Sequence, residues 1–177
     1  MPDENIPCQY ERRLLLKNGR EVFLRPILPS DEHLLVDLFY NMSPRSRYLR
    51  FMTKLQELPG ELLHHLTHLD HDNQQVALAC LVEEDGKAAI IAVGRYSLDI
   101  DENIADLAVA VRDDWQHLGI GKALLLNIIA IGKEHGISRF GSMMDPQNDI
   151  MKHTLMGLGY QVKYFCRDGF YQVEIIV

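Results

Sequence analysis

The sequence predicts a mixed α/β (α+β) fold, a sheet with helices on its faces. Three observations carry this. Apolar residues recur at helical spacing in segments of 30–69. Three apolar runs follow within 75–111, separated by turn residues. Beyond residue 111 the pattern alternates strand and helix before closing on two strand-like runs.

The elements follow in order. Residues 12–16 and 21–25 flank Asn18-Gly19, a dipeptide that suits a hairpin because both residues tolerate positive φ. Pro26 and Pro29 end that region. Ser30 is expected to cap a helix with Asp31 and Glu32 in its first turn and Leu34, Leu35, Leu38 and Phe39 on one face. Ser43-Pro44 opens a second helical segment reaching about Phe51, and 59–69 predicts a third, with Pro59 near its first turn. Strands are expected over 75–82, 88–96 and 104–111, the first ending in the turn Glu84-Asp85-Gly86-Lys87. A long apolar helix from Gly119 to about Glu134 stops at His135-Gly136, the glycine supplying a left-handed cap. A strand over 137–144, a helix over 148–157 and a hairpin of 160–165 with 170–177 complete the chain.

Composition sets bounds. The 177 residues, 47% of them apolar, suit one domain over 1–177 with a single core. No apolar run reaches the roughly 18 residues a membrane helix needs. The start Met1-Pro2-Asp3-Glu4-Asn5 lacks the basic-then-apolar pattern of a secretory signal, so a cytoplasmic location is expected. Cys8, Cys80 and Cys166 are widely spaced without a CxxC pair and are expected to be reduced thiols. The net charge of −7 argues against a nucleic-acid partner. It also requires that any phosphate be held by local N–H groups and a few basic side chains.

Such N–H groups are expected at one place. An apolar run ends at Val111, a polar loop follows, and Gln116-x-x-Gly119-x-Gly121 opens the long helix. The first N–H groups of a helix have no helical partner and sit at the positive end of its dipole. A nucleotide P-loop is excluded because Gln116 replaces its first glycine and Ala123 its Ser/Thr. A dinucleotide fingerprint is excluded because Leu124 occupies its third glycine position.

Gln-x-x-Gly-x-Gly after a strand resembles the acyl-CoA pyrophosphate loop of the GCN5-related N-acetyltransferase (GNAT) superfamily. Asn148-x-x-Met151 followed by Leu158-Gly159-Tyr160 is similar to its Asn-bearing helix. Arg25-Pro26-Ile27, Asp31, Ser43-x-x-Ser46-x-Tyr48-x-Arg50-Phe51, Leu66-Thr67-x-x-Asp70 and Arg112-Asp113-Asp114-Trp115-Gln116 resemble the acetyltransferase domain of bacterial Pat-type protein lysine acetyltransferases. The resemblance implies the GNAT fold, a mixed, mostly antiparallel sheet flanked by helices and splayed at the acyl-CoA site. It implies acetyl-CoA as co-substrate, with no metal. Gln116, His117, Leu118, Gly119, Ile120, Gly121 and Lys122 would hold the diphosphate, glycine allowing close backbone approach. The strand Val109-Ala110-Val111 would pair with the pantetheine arm through its backbone, mainly at Val109 and Val111, and Asn148 would hydrogen-bond it. The acceptor would be a protein lysine, as on an acyl-CoA synthetase, or a small amine. A homodimer stays open.

A lysine with a pKa near 10.4 costs roughly 4–5 kcal/mol to deprotonate at pH 7, so transfer to it needs a base. Pat-type sequences carry Glu where this chain has Asp106, which makes Asp106 the catalytic candidate. Its carboxylate reaches about 1.5 Å less far, by one C–C bond. Asp70, Asp101 and Glu102 are reserves. N–H groups near Val109 and Val111 could polarise the thioester carbonyl. Leu155 replaces the tyrosine with which many superfamily members reprotonate the thiolate, and Tyr160 and Cys166 lie nearby in sequence. These two departures keep a non-catalytic CoA-binding module as an alternative.

Other groupings have plainer readings. His64, His68 and His71 fit one helix face and could bind Zn²⁺, or could be a solvated helix end. Arg45, Arg47 and Arg50 could face an acidic protein surface or the CoA 3′-phosphate, or pair with this chain's own acids. Arg112 and Lys122 lie closer to the expected phosphates. Trp115 is expected to be a packing anchor, and Met143-Met144 with Met151 and Met156 core filling.

Overall fold

Backbone pairing turns the apolar runs into one eight-stranded sheet in the order β1-β2-β3-β4-β5-β6-β8-β7. The computed structural model describes residues 8–177. The strands are β1 (Arg12–Leu15), β2 (Glu21–Pro26), β3 (Gln75–Glu84), β4 (Lys87–Asp99), β5 (Ile104–Val111), β6 (Arg139–Met144), β7 (Gln161–Arg167) and β8 (Phe170–Ile176). The helices are α1 (Glu32–Tyr40), α2 (Pro44–Phe51), α3 (Gly60–Thr67), α4 (Ile120–Glu134) and α5 (Asp149–Met156). Neighbouring strands run antiparallel except β5 and β6. None of the helices is long and apolar enough to cross a membrane.

Alternation along the strands sends side chains to two apolar layers. One layer gathers Trp115, Ile120, Leu124, Ile128, Phe140 and Leu155 around α4. The other packs Ile27, Leu35, Leu38 and Met42 against Ala77, Ala79, Leu81 and Ile90 of β3 and β4. Helix α4 lies close to the sheet. A Cβ placed on Gly132 would stand 2.5 Å from Cζ of Phe140, a fully buried ring. Gly132→Ala is therefore expected to destabilise the fold by about 1–3 kcal/mol through overpacking, read as a lower urea midpoint at unchanged m-value.

Three local expectations change. The hairpin turn spans 16–20 rather than two residues: only Gly19 takes positive φ (79°), and Asn18 Oδ1 accepts from the Arg20 N–H instead. Ser30 does not cap α1. A 3₁₀ turn (Pro29–Asp31) intervenes, and the Asp31 carboxylate accepts from the Leu28 N–H and from both Nη atoms of Arg25 at 2.6 and 2.8 Å. A buried, doubly bonded carboxylate outcompetes an exposed hydroxyl as the organiser of that corner. Of the four methionines expected to fill the core, Met144 does so and Met151 packs beside it, whereas Met143 and Met156 are exposed. Ser43 does cap α2, accepting from the Ser46 N–H.

Candidate active site

The sheet opens between β5 and β6. These parallel strands pair only at Ala105 with Phe140 and Asp106 with Gly141. Beyond Asp106 they diverge. On its other side β5 stays paired with β4 along its full length, and the Arg112 N–H donates to Ile91 O. That register turns the backbone groups of residues 106, 108 and 110 toward β4 and those of Leu107, Val109 and Val111 toward the opening. A strand edge thus lies inside the sheet with no strand beside it among the described residues. The cleft there is lined by Leu107, Val109, Leu125, Ser142, Met151 and Leu155, among others. Leu155 faces this cleft without offering a hydroxyl. Tyr160 lies instead beneath the Lys133 ammonium, and Cys166 is exposed on β7.

The opening leads to the start of α4. Val111 O accepts from Gln116 Nε2 at 3.0 Å, and the same amide approaches Ser46 Oγ at 3.3 Å, so Gln116 braces the strand end. Trp115, 2% exposed, anchors the loop beneath the Arg20 guanidinium, 3.6 Å above its ring. His117 (φ 63°) and Gly119 (φ 89°) then turn the chain sharply. Gly119 is the N-cap, and the first helical bond runs from Ala123 N–H to Gly119 O. The N–H groups of Ile120, Gly121 and Lys122 consequently have no helical partner. Leu118 packs inward while His117 is exposed. Lys122 extends toward Gly157, just past α5. Asn148, nearly buried, caps α5 by accepting from the Met151 N–H, and its Nδ2 has no partner among the described residues.

Arg112 is not available to an anion here. Its guanidinium is bidentate to both Glu84 and Asp114 and sits at 9% exposure. Hydrogen bonds from Arg112 hold the Glu84 and Asp114 carboxyls below their ordinary range. Its role is to fix the corner after β5. Ala110 also differs from its neighbours, since its backbone faces Val93 of β4 and its side chain lines a second cavity on the opposite face of the sheet.

Asp106 stands on that opposite face at the point of divergence, across from Ser97 and diagonal to Arg95. Solvent reaches it, yet the walls around it raise its carboxyl pKa, while Arg50 and Arg95 act to lower it. Arg95 is 7% exposed, and burial pulls it down to about 10, Arg50 adding to that and Asp106 opposing it. Sequence reasoning missed Arg95, although a single arginine inside the apolar run of 88–96 was a visible signal. Asp70 is exposed after α3, and Asp101 and Glu102 occupy the β4–β5 turn, where their N–H groups donate to Asp99.

Helix α2 crosses the mouth of the opening. At its start Ser43 and Ser46 donate to Asp113, beyond β5. Burial pushes the Asp113 carboxyl up, and those hydrogen bonds outweigh it and hold it low. In its middle, Tyr48 donates to Asp145, beyond β6, at 3.2 Å. The helix thereby clasps both diverging strands. The basic cluster expected here is dispersed: Arg45 lies over Tyr48, Arg47 donates to the carbonyls of Phe39, Tyr40 and Met42, and Arg50 turns inward.

The histidine group is likewise redrawn. Helix α3 ends at Thr67, and His71 leaves it at φ 50°. Glu32 takes its place beside His64 and His68, with ligand atoms within 4.8 Å of one another. His68 Nδ1 is already engaged by Thr67 Oγ1 and His64 O, and the two imidazoles stack at 3.7 Å. His71 is buried, its Nε2 donating to Ile27 O and its Nδ1 without a partner among the described residues. Burial lowers its pKa, the bond to Ile27 and the acids Asp70 and Asp72 oppose this, and Arg95 reinforces it. A depressed folded-state pKa favours the neutral ring. Its contribution to stability is present above the unfolded value near 6.5 and is lost as pH falls below it toward the folded pKa. His71→Gln, which keeps a donor but cannot titrate, should flatten the stability loss between pH 7 and 5 seen by urea unfolding. An equal loss in both proteins would remove His71 as its source.

An open strand edge running into a glycine-turned helix start, on a mostly antiparallel sheet, defines an acyltransferase of the GNAT fold. The chain belongs to the acetyltransferase (GNAT) family, which it matches over residues 36–160. It is similar to the crystal structure of the GNAT domain of S. lividans PAT, with TM-score 0.87 and 30% identity over 97% of this chain and 99% of that one. An acetyltransferase of Pseudomonas aeruginosa is 29% identical over 82% of this chain and 77% of its own length. Acetyltransferase Pat of Mycolicibacterium smegmatis is 26% identical over 81% of this chain, which spans 42% of that protein. The chain is an acetyltransferase with acetyl-CoA as its acyl donor.

Proposed function

We propose that this chain transfers the acetyl group of acetyl-CoA to a lysine side chain of a protein, with Asp106 as base, as a single cytoplasmic domain over 1–177. The observation that carries the reading is the position of Asp106 at the last residue of β5 that pairs with β6, where the sheet divides. The cleft with the open edge lies on one side of that point and the arginine-lined cavity on the other. The unpartnered N–H groups of Ile120, Gly121 and Lys122 would take the diphosphate, with Gln116, His117, Leu118 and Gly119 shaping the turn. The edge groups of Leu107, Val109 and Val111 would hold the pantetheine arm, assisted by Asn148 Nδ2.

The amine would approach from the Asp106 side. Its nitrogen attacks the thioester carbonyl carbon, the carbon–sulfur bond breaks, and the amine proton passes to Asp106 directly or through water. Edge N–H groups polarise the carbonyl oxygen as charge develops there. With Leu155 lining the cleft where many superfamily members carry a tyrosine, the thiolate would leave without a tyrosine donor, which a thiol pKa of about 8–9 permits.

The resemblance of Ser43-x-x-Ser46-x-Tyr48-x-Arg50-Phe51 and Arg112-Asp113-Asp114-Trp115-Gln116 to Pat-type protein lysine acetyltransferases supports a protein acceptor. A small cationic amine, the second reading, is disfavoured by Arg50 and Arg95, which line the cavity on the Asp106 face of the sheet. Thiol release from acetyl-CoA, measured against acyl-CoA synthetases, lysine peptides and small polyamines, separates them. Turnover confined to small amines would reject the protein acceptor, and tight CoA binding without turnover on any acceptor would favour a binding module.

A further inference from the structure

We propose that the cavity between α1, α2 and β4 is a carboxylate-binding subsite in which Arg50 and Arg95 hold an acidic side chain of the protein acceptor, close in sequence to the lysine being acetylated. This rests on the protein-lysine reading above and adds to it what the acceptor must carry.

The cavity is apolar apart from two groups. Leu35, Leu38, Phe39 and Val93 form much of its wall, and Arg50 and Arg95 are the charged residues that line it. Neither guanidinium has a hydrogen bond or ion pair among the described residues. Arg50 stacks on Phe51 at 4.8 Å, and Arg95 is more than nine-tenths buried. Every other largely enclosed arginine in the molecule is satisfied: Arg25 by Asp31, Arg47 by three carbonyls and Arg112 by Glu84 and Asp114. Two like charges sharing a desolvated wall are unfavourable unless something supplies the opposite charge. Among the described residues Asp106 is the one carboxylate within electrostatic reach of both. One negative charge against two positive leaves a net positive cavity with ten donor N–H groups to satisfy.

The chemistry that fits is a carboxylate on a short apolar stem. The stem would lie on Leu35, Leu38 and Phe39, and the carboxylate would take the forked N–H groups of either guanidinium. Because Asp106 adjoins the same arginines, a carboxylate seated there fixes the distance between the bound acid and the base. A lysine close to an acidic residue would be presented at Asp106, and a lysine in a basic stretch would be repelled.

Two measurements on the full chain test this. In the first, thermal unfolding with acetyl-CoA present is followed as glutarate is added, with glutaramide as the neutral isostere. Stabilisation by glutarate alone, abolished in Arg50→Gln and Arg95→Gln, is expected. Stabilisation by both ligands or neither, or its persistence in the two variants, overturns the subsite. The comparison of ligands on the unaltered chain decides the matter even where a variant fails to fold. In the second, kcat/KM is compared for lysine peptides carrying Glu or Gln at each position within three residues of the lysine. A preference for Glu of about tenfold or more at one position is expected from charge-assisted hydrogen bonds, and it should vanish in Arg50→Gln. Acetylation of Glu and Gln peptides at equal rates overturns the proposal and leaves the protein-lysine reading standing. Arginine-dependent glutarate binding with no peptide or protein acetylated keeps the anion site and overturns a protein as its source.

Discussion

Replacing Asp106 with Asn is expected to lower kcat by about 10²–10⁴-fold, the usual contribution of a positioned base, while leaving acetyl-CoA affinity unchanged. The separation follows from geometry. Asp106 faces Ser97 and Arg95, whereas the open edge begins at Leu107 on the other side of the same strand. Asn keeps the size and removes both the ability to take a proton and the negative charge that faces Arg50 and Arg95. Equal turnover in the two proteins would eliminate Asp106 as base. The pH profile gives a second readout. Burial raises the Asp106 carboxyl and the two arginines lower it, so activity should rise with pH through a limb above the ordinary carboxylate range. Arg50→Gln removes one of the opposing cations and should move that limb to higher pH. Asp106→Glu, longer by about 1.5 Å, should stay active and show whether the shorter side chain limits proton transfer.

Gly119→Val is expected to weaken acetyl-CoA binding by about 100-fold, near 2.7 kcal/mol at room temperature. At φ 89° the N-cap of α4 occupies a region that β-branched residues avoid. Space is not the obstacle, since the nearest atom to an added Cβ is Lys17 Cε at 3.6 Å. The backbone itself must rotate, and with it the N–H groups of Ile120, Gly121 and Lys122 lose their common direction. The helix can re-form one residue later, so the loss should appear in acetyl-CoA titration calorimetry more than in thermal stability. Unchanged affinity would show that the phosphates are not read by these groups.

Much of this was legible in the sequence for reasons that particular residues make plain. Val109 and Val111 before Gln116-x-x-Gly119-x-Gly121 mark a strand, a turn and a helix start because local sterics alone demand those residues. The strand over 104–111 is found with the expected bounds. What escaped depends on contacts between distant segments. Arg112 seemed close to the phosphates because it is near them in sequence, but Glu84 from another strand claims it. His71 seemed one helical turn from His68, but the helix ends first. Arg95 and Arg50 are separated by 44 intervening residues, and only the pairing of β4 with β5 and the packing of α2 bring them to one cavity.

The open edge at Leu107, at Val109 and at the Val111 N–H has a consequence for how this protein can diverge. A partner held through main-chain groups is recognised by every sequence that keeps the strand in place. Substitutions at Leu107, Val109 and Val111 are filtered for packing and for little else, so donor recognition is insulated from ordinary drift in side-chain identity. Proline is the exception, because it alone deletes an edge N–H. Acceptor recognition has no such insulation: it rests on the side chains Asp106, Arg50 and Arg95, each reachable by a single codon change. Descendants of this chain would be expected to keep one donor and change acceptors.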